Sequence, residues 1–318
     1  MGVVTDVRVV TGIKKGLIEL ILEPSVFGEA IVNNKHRVRN KLLRNFYQWL
    51  QGFIKHVNTT AKDINGDTYE YGITNYGAYH DPRIRLSSAT SLIHFDGHSI
   101  DSIEDVDPVT ADILDESTQS VARLVATFTS GGNSVGTIVR YNDSVGKVHF
   151  FLFNHVLLSV VAGDTINVRF VFKLPWLKNM ASAFLSDLYC STRFDLVDVT
   201  GGAYTTQTGE NPTTAGAPKI VIGDDNTAEK PSDYTLTNMR ELDTHLFVVE
   251  RTELIDLIIV GYYVPPGTET LGEIGLVKPI RDSGGSPRDT LIIRKALSEP
   301  ITLEANKTYT VMIRIVGS

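Results

Sequence analysis

Cysteine is almost missing from this chain of 318 residues: Cys190 is the only one. A single thiol excludes an intramolecular disulfide and any cysteine-based zinc site, and is expected to sit as a small buried hydrophobe. Positive charge is also scarce. Thirty Lys and Arg against 37 Asp and Glu leave a net charge of −7, which argues against a general attraction to nucleic acid or anionic membrane. No run approaches the ~18 consecutive apolar residues of a membrane span. The opening Met1-Gly2-Val3-Val4-Thr5-Asp6 matches neither a signal peptide nor a myristoylation site. Catalytic signatures are thin too: no HExxH, GxGxxG or GxxxxGK[ST] occurs, and no GxSxG nucleophile elbow is expected, although Gly132-Asn133-Ser134-Val135-Gly136 matches its letters. The sequence therefore nominates no catalytic, cofactor-binding or metal-ligating residue, no cofactor and no enzymatic activity.

What is present is strand pattern. Ile166, Val168, Phe170 and Phe172 alternate with Asn167, Arg169, Val171 and Lys173, the period of a strand with one face on a core. Tyr309, Val311, Ile313 and Ile315 repeat that alternation in the same phase. Further strands are expected at 17–22, 29–33, 121–129, 147–153, 246–250, 254–263 and 291–295. Helices are few. Apolar spacing predicts one over 37–54, with Phe46 and Trp49 in its stripe, and one over 176–189, with Pro175 near its first turn. The stretches 81–116 and 200–218 read as long loops, which are usually functional or ordered by a partner.

The chain also repeats itself. Val135-Gly136-Thr137-Ile138 is echoed by Leu271-Gly272-Glu273-Ile274, 136 residues on, and Ala162–Val168 by Ala305–Val311, 143 on. The helix around Phe46 is echoed around Phe184, 138 on. An old tandem duplication follows, with a mainly β fold of two β-sandwich domains. The first is expected over 1–174 with its helix near 37–54, the second over 175–318 with its helix near 176–189. Each helix should cover an end or face of its own sandwich.

Candidate chemistry is thin. Asp63-Ile64-Asn65-Gly66-Asp67 begins like a calcium loop, but Thr68 and Thr74 stand where an EF-hand needs Gly and Glu; an Asn-Gly turn is the plainer reading. The acidic run Asp96, Asp101, Glu104, Asp105, Asp107, Asp112, Asp115 and Glu116 reads as a solvated loop. A divalent-ion site or glycosidase carboxylates within 96–116 remain the alternatives. The eight histidines form no ligand spacing. Tyr76, Tyr79, Tyr204, Tyr262 and Tyr263 are the aromatics a glycan-binding surface would use, though strand tyrosines more often pack.

Three segments of the second half carry a resemblance. Ile220–Asp225 (IVIGDD), Pro231–Leu236 (PSDYTL) and Leu271–Leu276 (LGEIGL) follow an order similar to that of many phage and archaeal-virus virion proteins. There a helix leads into an I-x-(I/V)-G step, an (S/D)-(D/Y)-x-L step and an E-(I/V)-G-L strand. The resemblance covers about the last hundred residues well and the first half faintly. It implies tandem jelly-roll domains like those of penton, turret, tail or neck proteins, acting through symmetric assembly. The expected partners are then other copies of this chain, other capsid or tail proteins, and a host receptor or glycan. The expected location is the virion, assembled in the host cytoplasm. A carbohydrate- or receptor-binding tail module is the alternative, and a hydrolase on a β scaffold a more distant one.

Overall fold

The computed structural model describes residues 5–10, 16–22, 26–71, 80–87, 104–129, 132–143, 145–189, 191–208, 215–250 and 255–317. The fold is mainly β. Four strands come first: β1 (Thr5–Val10), β2 (Leu17–Leu22), β3 (Val26–Val32) and β4 (His36–Leu42). Ten elements follow: α1 (Arg44–Lys55), β5 (Thr59–Lys62), β6 (Thr68–Tyr71), β7 (His80–Ser87), β8 (Glu104–Val106), β9 (Thr110–Glu116), β10 (Gln119–Thr127), β11 (Gly132–Asn142), β12 (Val148–Val160) and β13 (Thr165–Lys173). The same ten then recur: α2 (Lys178–Leu188), β14 (Asp195–Val197), β15 (Ala203–Thr205), β16 (Lys219–Gly223), β17 (Arg240–Glu241), β18 (Asp243–Glu250), β19 (Ile255–Tyr263), β20 (Glu269–Arg281), β21 (Pro287–Leu303) and β22 (Tyr309–Gly317).

Pairing repeats with the order. In the first copy the antiparallel pairs are β5–β6, β7–β8, β7–β11, β11–β12, β9–β10 and β10–β13. In the second they are β14–β15, β16–β17, β16–β20, β20–β21, β18–β19 and β19–β22. The strands that border each copy differ. In the first, β13 pairs with β3 and β12 with β4, which joins both sheets into nine strands, β8-β7-β11-β12-β4-β3-β13-β10-β9. In the second, β22 takes β2 as a parallel neighbour, giving β1-β2-β22-β19-β18, while β17-β16-β20-β21 stays separate. The division expected after Leu174 is therefore crossed by a strand pair. One continuous apolar cluster, from Ile18 to Ile315, also runs through both copies.

Hydrogen bonds set the register of the repeat. Gly136 lies opposite His155 and Gly275 opposite Arg294, each beside a register shift. A Cβ on Gly136 would meet Asn154 O and Leu152 Cδ1, and one on Gly275 would meet Ile293 O and Leu291 Cδ1. Gly136 therefore corresponds to Gly275, not to Gly272 as the letters suggest. The helices shift as well. Leu43 and Leu177 are N-caps with φ −91° and ψ near 168°, so Asn45 corresponds to Asn179 and Phe46 to Met180 rather than Phe184. The two asparagines perform one task. Asn45 Nδ2 donates to Lys62 O and Leu152 O, and its Oδ1 accepts from Lys62 N. Asn179 Nδ2 donates to Val197 O and Leu291 O, and its Oδ1 accepts from Val197 N. Each ties a helix start to a short hairpin and a long strand. The closing strands keep the step of 143 read from the sequence: Val168, Phe170 and Phe172 are buried in β13 as Val311, Ile313 and Ile315 are in β22.

One turn recurs four times. Asp63 Oδ1 accepts the amides of Asn65 and Asp67, and Asp198 Oδ1 those of Thr200 and Gly202. Asp143 does the same for Val145 and Lys147, and Asp282 for Gly284 and Ser286. In each, the glycine three positions after the aspartate has φ between +81° and +88°, a left-handed conformation that favours glycine. These residues close the β5–β6 and β11–β12 hairpins and their counterparts, so Asp63–Asp67 is a turn.

Two expectations about the helices change. The segment 37–42 belongs to β4, because Arg37, Arg39 and Lys41 alternate with Val38, Asn40 and Leu42, a period of two that extends β3. Pro175 precedes the N-cap rather than starting the helix, and Trp176 forms an isolated bridge with Ile293. The expected loop over 81–116 contains β7, β8 and β9, with 88–103 outside the described residues.

Candidate functional site

The three segments behind the resemblance converge on one guanidinium. Arg294, on β21, reaches Glu273 Oε2 of β20 at 2.7 Å and Asp233 Oδ2 of the β16–β17 connection at 2.6 Å. It also donates to Thr227 O at 3.0 Å. Glu273 Oε1 accepts the Thr237 amide at 2.6 Å. Burial pushes the Glu273 carboxyl above its ordinary value, against the pull of Arg294 and of the Thr237 amide. Charge-assisted bonds of this kind are strong. They fasten the 224–238 connection onto the sheet, and both glutamate oxygens are engaged. The first copy replaces the motif: Ser134 stands for Glu273, and His155 for Arg294. Burial, with the Arg85 charge second, lowers His155 to about 4.

The acids of the run whose side chains are described are paired in the same way. Asp112 pairs with Arg123, Glu116 with Arg169, Asp115 with Lys178 and Asp107 with Arg83. Asp96 and Asp101 lie outside the described residues, and of Glu104 and Asp105 only the backbone is described. Among the described residues, no group of three His, Asp, Glu or Cys side chains is arranged to hold a metal ion. His149 is bonded to Asp143, and His80 Nδ1 lies 3.2 Å from Asp187 O. Of the aromatics, Tyr204 is bonded to Thr290, Tyr263 donates to Glu269, and Tyr262 is 42% exposed. Tyr76, Tyr79 and Cys190 are outside the described residues.

The helices meet at the seam of the copies instead of capping separate sandwiches. The Trp49 and Phe184 rings contact edge to face at 4.9 Å, and Phe184 also touches Phe46, Phe170 and Phe172. Trp49 Nε1 donates to Asp187 Oδ2 at 3.1 Å. Beside them Lys278, wholly buried on β20, donates to Gly216 O at 2.5 Å and lies 5.6 Å from the Phe53 ring centroid. Burial lowers its ammonium to about 7, with Asp187 opposing. Its counterpart in the first copy is Val139.

One polar region is open. Arg44, Gln48, Gln51 and Lys55 share a face of α1 and, with Asn58, Thr59, Thr60, Lys62 and Thr68, line a cleft of about 510 Å³. Every charged residue of the lining is basic. Gln48 and Gln51 are only 5% and 8% exposed, and Gln51 Oε1 is buried without a hydrogen-bond partner. An unsatisfied buried polar group costs about 1–3 kcal/mol. This face is not legible in the sequence, because glutamines on a helix read as its solvated side. Their burial depends on β5, which lies across them.

No family model matches the chain, and no curated protein matches it. Two solved structures give faint likenesses. One is a 2'-deoxycytidine 5'-triphosphate deaminase from Agrobacterium tumefaciens, 11% identical over 86% of this chain and 94% of that one, with a TM-score of 0.12. The other is HtdX of Mycobacterium tuberculosis, 9% identical over 84% of this chain and 100% of that one, with a TM-score of 0.11. At such scores neither bears on fold or function.

Proposed function

We propose that this chain is a non-enzymatic structural subunit of a virus particle that works by symmetric assembly. The observation that carries the reading is the joint role of the segments behind the resemblance. Glu273, Asp233 and Arg294 lock one connection onto one sheet, so the shared pattern is a device for holding a scaffold rather than for turning over a substrate. The tandem repeat supports this, since its polar side chains serve turns, helix starts and strand ties. The edge strand β18 offers a contact surface. Phe247, 52% exposed, lies on the same face as Tyr262 of the adjoining strand. An open edge beside exposed aromatics suits pairing between subunits.

Electron microscopy of the purified full chain, with its mass in solution, tests the proposal. A closed ring or other symmetric oligomer, weakened by Phe247→Glu, is expected. A monomer that persists at high concentration and never enters particles would sink it.

A further inference from the structure

We infer that the cleft between α1 and β5 binds an acidic saccharide, through its anionic group on Lys55 and Lys62 and its hydroxyls on Gln48 and Gln51. The inference stands independently of the assembly reading, because it rests on the first copy alone.

The argument begins with the matching face of the second copy. There Arg44, Gln48, Gln51 and Lys55 correspond to Lys178, Ser182, Leu185 and Tyr189. Thr60, Lys62 and Thr68 correspond to Asp195, Val197 and Ala203. That face is covered from within the chain. Leu185 belongs to the apolar core, Lys178 pairs with Asp115 of β9, and Tyr189 donates to Pro108 O. In the first copy β5 lies against the equivalent face, and the residues of that face are polar rather than apolar. Gln48 and Gln51 are more than nine-tenths buried there, and Gln51 Oε1 has no hydrogen-bond partner. The Lys55 and Lys62 ammoniums have no carboxylate partner among the described residues, and no acid lines the cleft.

This lining selects a ligand class. Unpaired ammoniums favour an anion and disfavour a neutral or cationic guest. Carboxamides and the Thr60 and Thr68 hydroxyls match a ligand that both donates and accepts. No aromatic ring lines the cleft, so a nucleobase would find no stacking partner. The volume falls in the range of small-ligand sites, roughly 300–1,000 Å³, and admits one or two sugar rings.

Isothermal titration of the full chain with 3'-sialyllactose and with a sulfated disaccharide tests the inference, with lactose and inorganic sulfate as controls. Saturable one-to-one binding of at least one acidic sugar is expected, at least tenfold tighter than lactose or sulfate. Lys55→Glu should weaken it tenfold or more. Gln51→Leu, which imports the Leu185 side chain of the other copy, should also weaken it while leaving the melting temperature equal or higher. Lys35→Glu, away from the cleft, should bind as the parent does. No binding by either acidic sugar, equal binding of inorganic sulfate, or unchanged affinity in both Lys55→Glu and Gln51→Leu would each overturn the inference.

Discussion

The two helices share a cap geometry and an asparagine tie, yet they live in different surroundings. From Asn179 to Leu188 every residue of α2 is buried, whereas α1 keeps Arg44, Tyr47 and Lys55 partly exposed. The cause is position in the chain. Behind α2 stands the first copy, whose β9 and β10 pack against it. Ahead of α1 stand β1 to β4, and α1 packs chiefly on β5 and β12. A duplicated unit can thus retain its local bonds and still acquire, or lose, a partner for one face. The lesson is that equivalent residues need not have equivalent work.

The largest test of this comparison is at the seam. Phe184→Ala should cost about 3–5 kcal/mol, as expected for a buried aromatic truncated to alanine. Calorimetry should still show both copies melting in one transition; two separate transitions would mean that the core is not shared. Next come the asparagines. Asn179→Ala should cost about 3 kcal/mol by stranding buried carbonyls and an amide. Asn45→Ala should cost less, because two of its three bonds are 3.3 Å long while all three of Asn179 are 3.1 Å or shorter. Equal losses in urea unfolding would show that the two ties have not diverged.

Lys278 sharpens the contrast through pH. Its folded value near 7 lies below the ordinary 10.5, so between those values the unfolded chain holds more protons and stability rises with pH. Melting followed from pH 7 to 9 should show a gain of about 2 kcal/mol. Lys278→Val, which installs the residue of the first copy, should abolish the slope. Glycine substitutions come next. Gly136→Ala would place a Cβ 2.5 Å from a backbone oxygen, Gly275→Ala 3.0 Å from one and 2.8 Å from a side-chain methyl that can move. The first should cost about 2 kcal/mol and the second less; the reverse order in chemical denaturation would refute the register. The smallest effect belongs to the repeated turns. Hydrogen bonding by His149 holds Asp143 below the ordinary carboxylate value, and Arg288 does so for Asp282. For Asp198, burial opposes the Thr200 and Gly202 bonds that lower it. Their contribution is full above the unfolded value and is lost as pH falls through the depressed folded values. The acid limb of a melting-temperature profile should therefore flatten in a triple Asp→Asn variant, and an unchanged limb would remove these turns from the acid response.

Much of the repeat was legible beforehand. The phase of Ile166–Phe172 against Tyr309–Ile315 follows from a period of two, and local period survives divergence. The aspartate-glycine turns are also local: Asp63, Asp143, Asp198 and Asp282 each stand three residues before a glycine. Near Gly272 the matching letters of Leu271–Ile274 point to one register and the strand geometry, which letters do not record, to another. The 37–42 segment reads as helix as readily as strand, because Val38 and Leu42 fit a spacing of four as well as a period of two. The cleft is not legible in the chain, because burial of Gln48 and Gln51 depends on another strand.

The amino-acid sequence by itself determined the β character, the in-and-out phase of the strands and the chemistry of the turns, since each depends on neighbours a few residues away. Only the tertiary structure decided that β2 runs parallel to β22, that α2 is enclosed by the first copy, and that Glu273, Asp233 and Arg294 meet. Those outcomes depend on which distant surfaces exclude water together, and no local period encodes the partner.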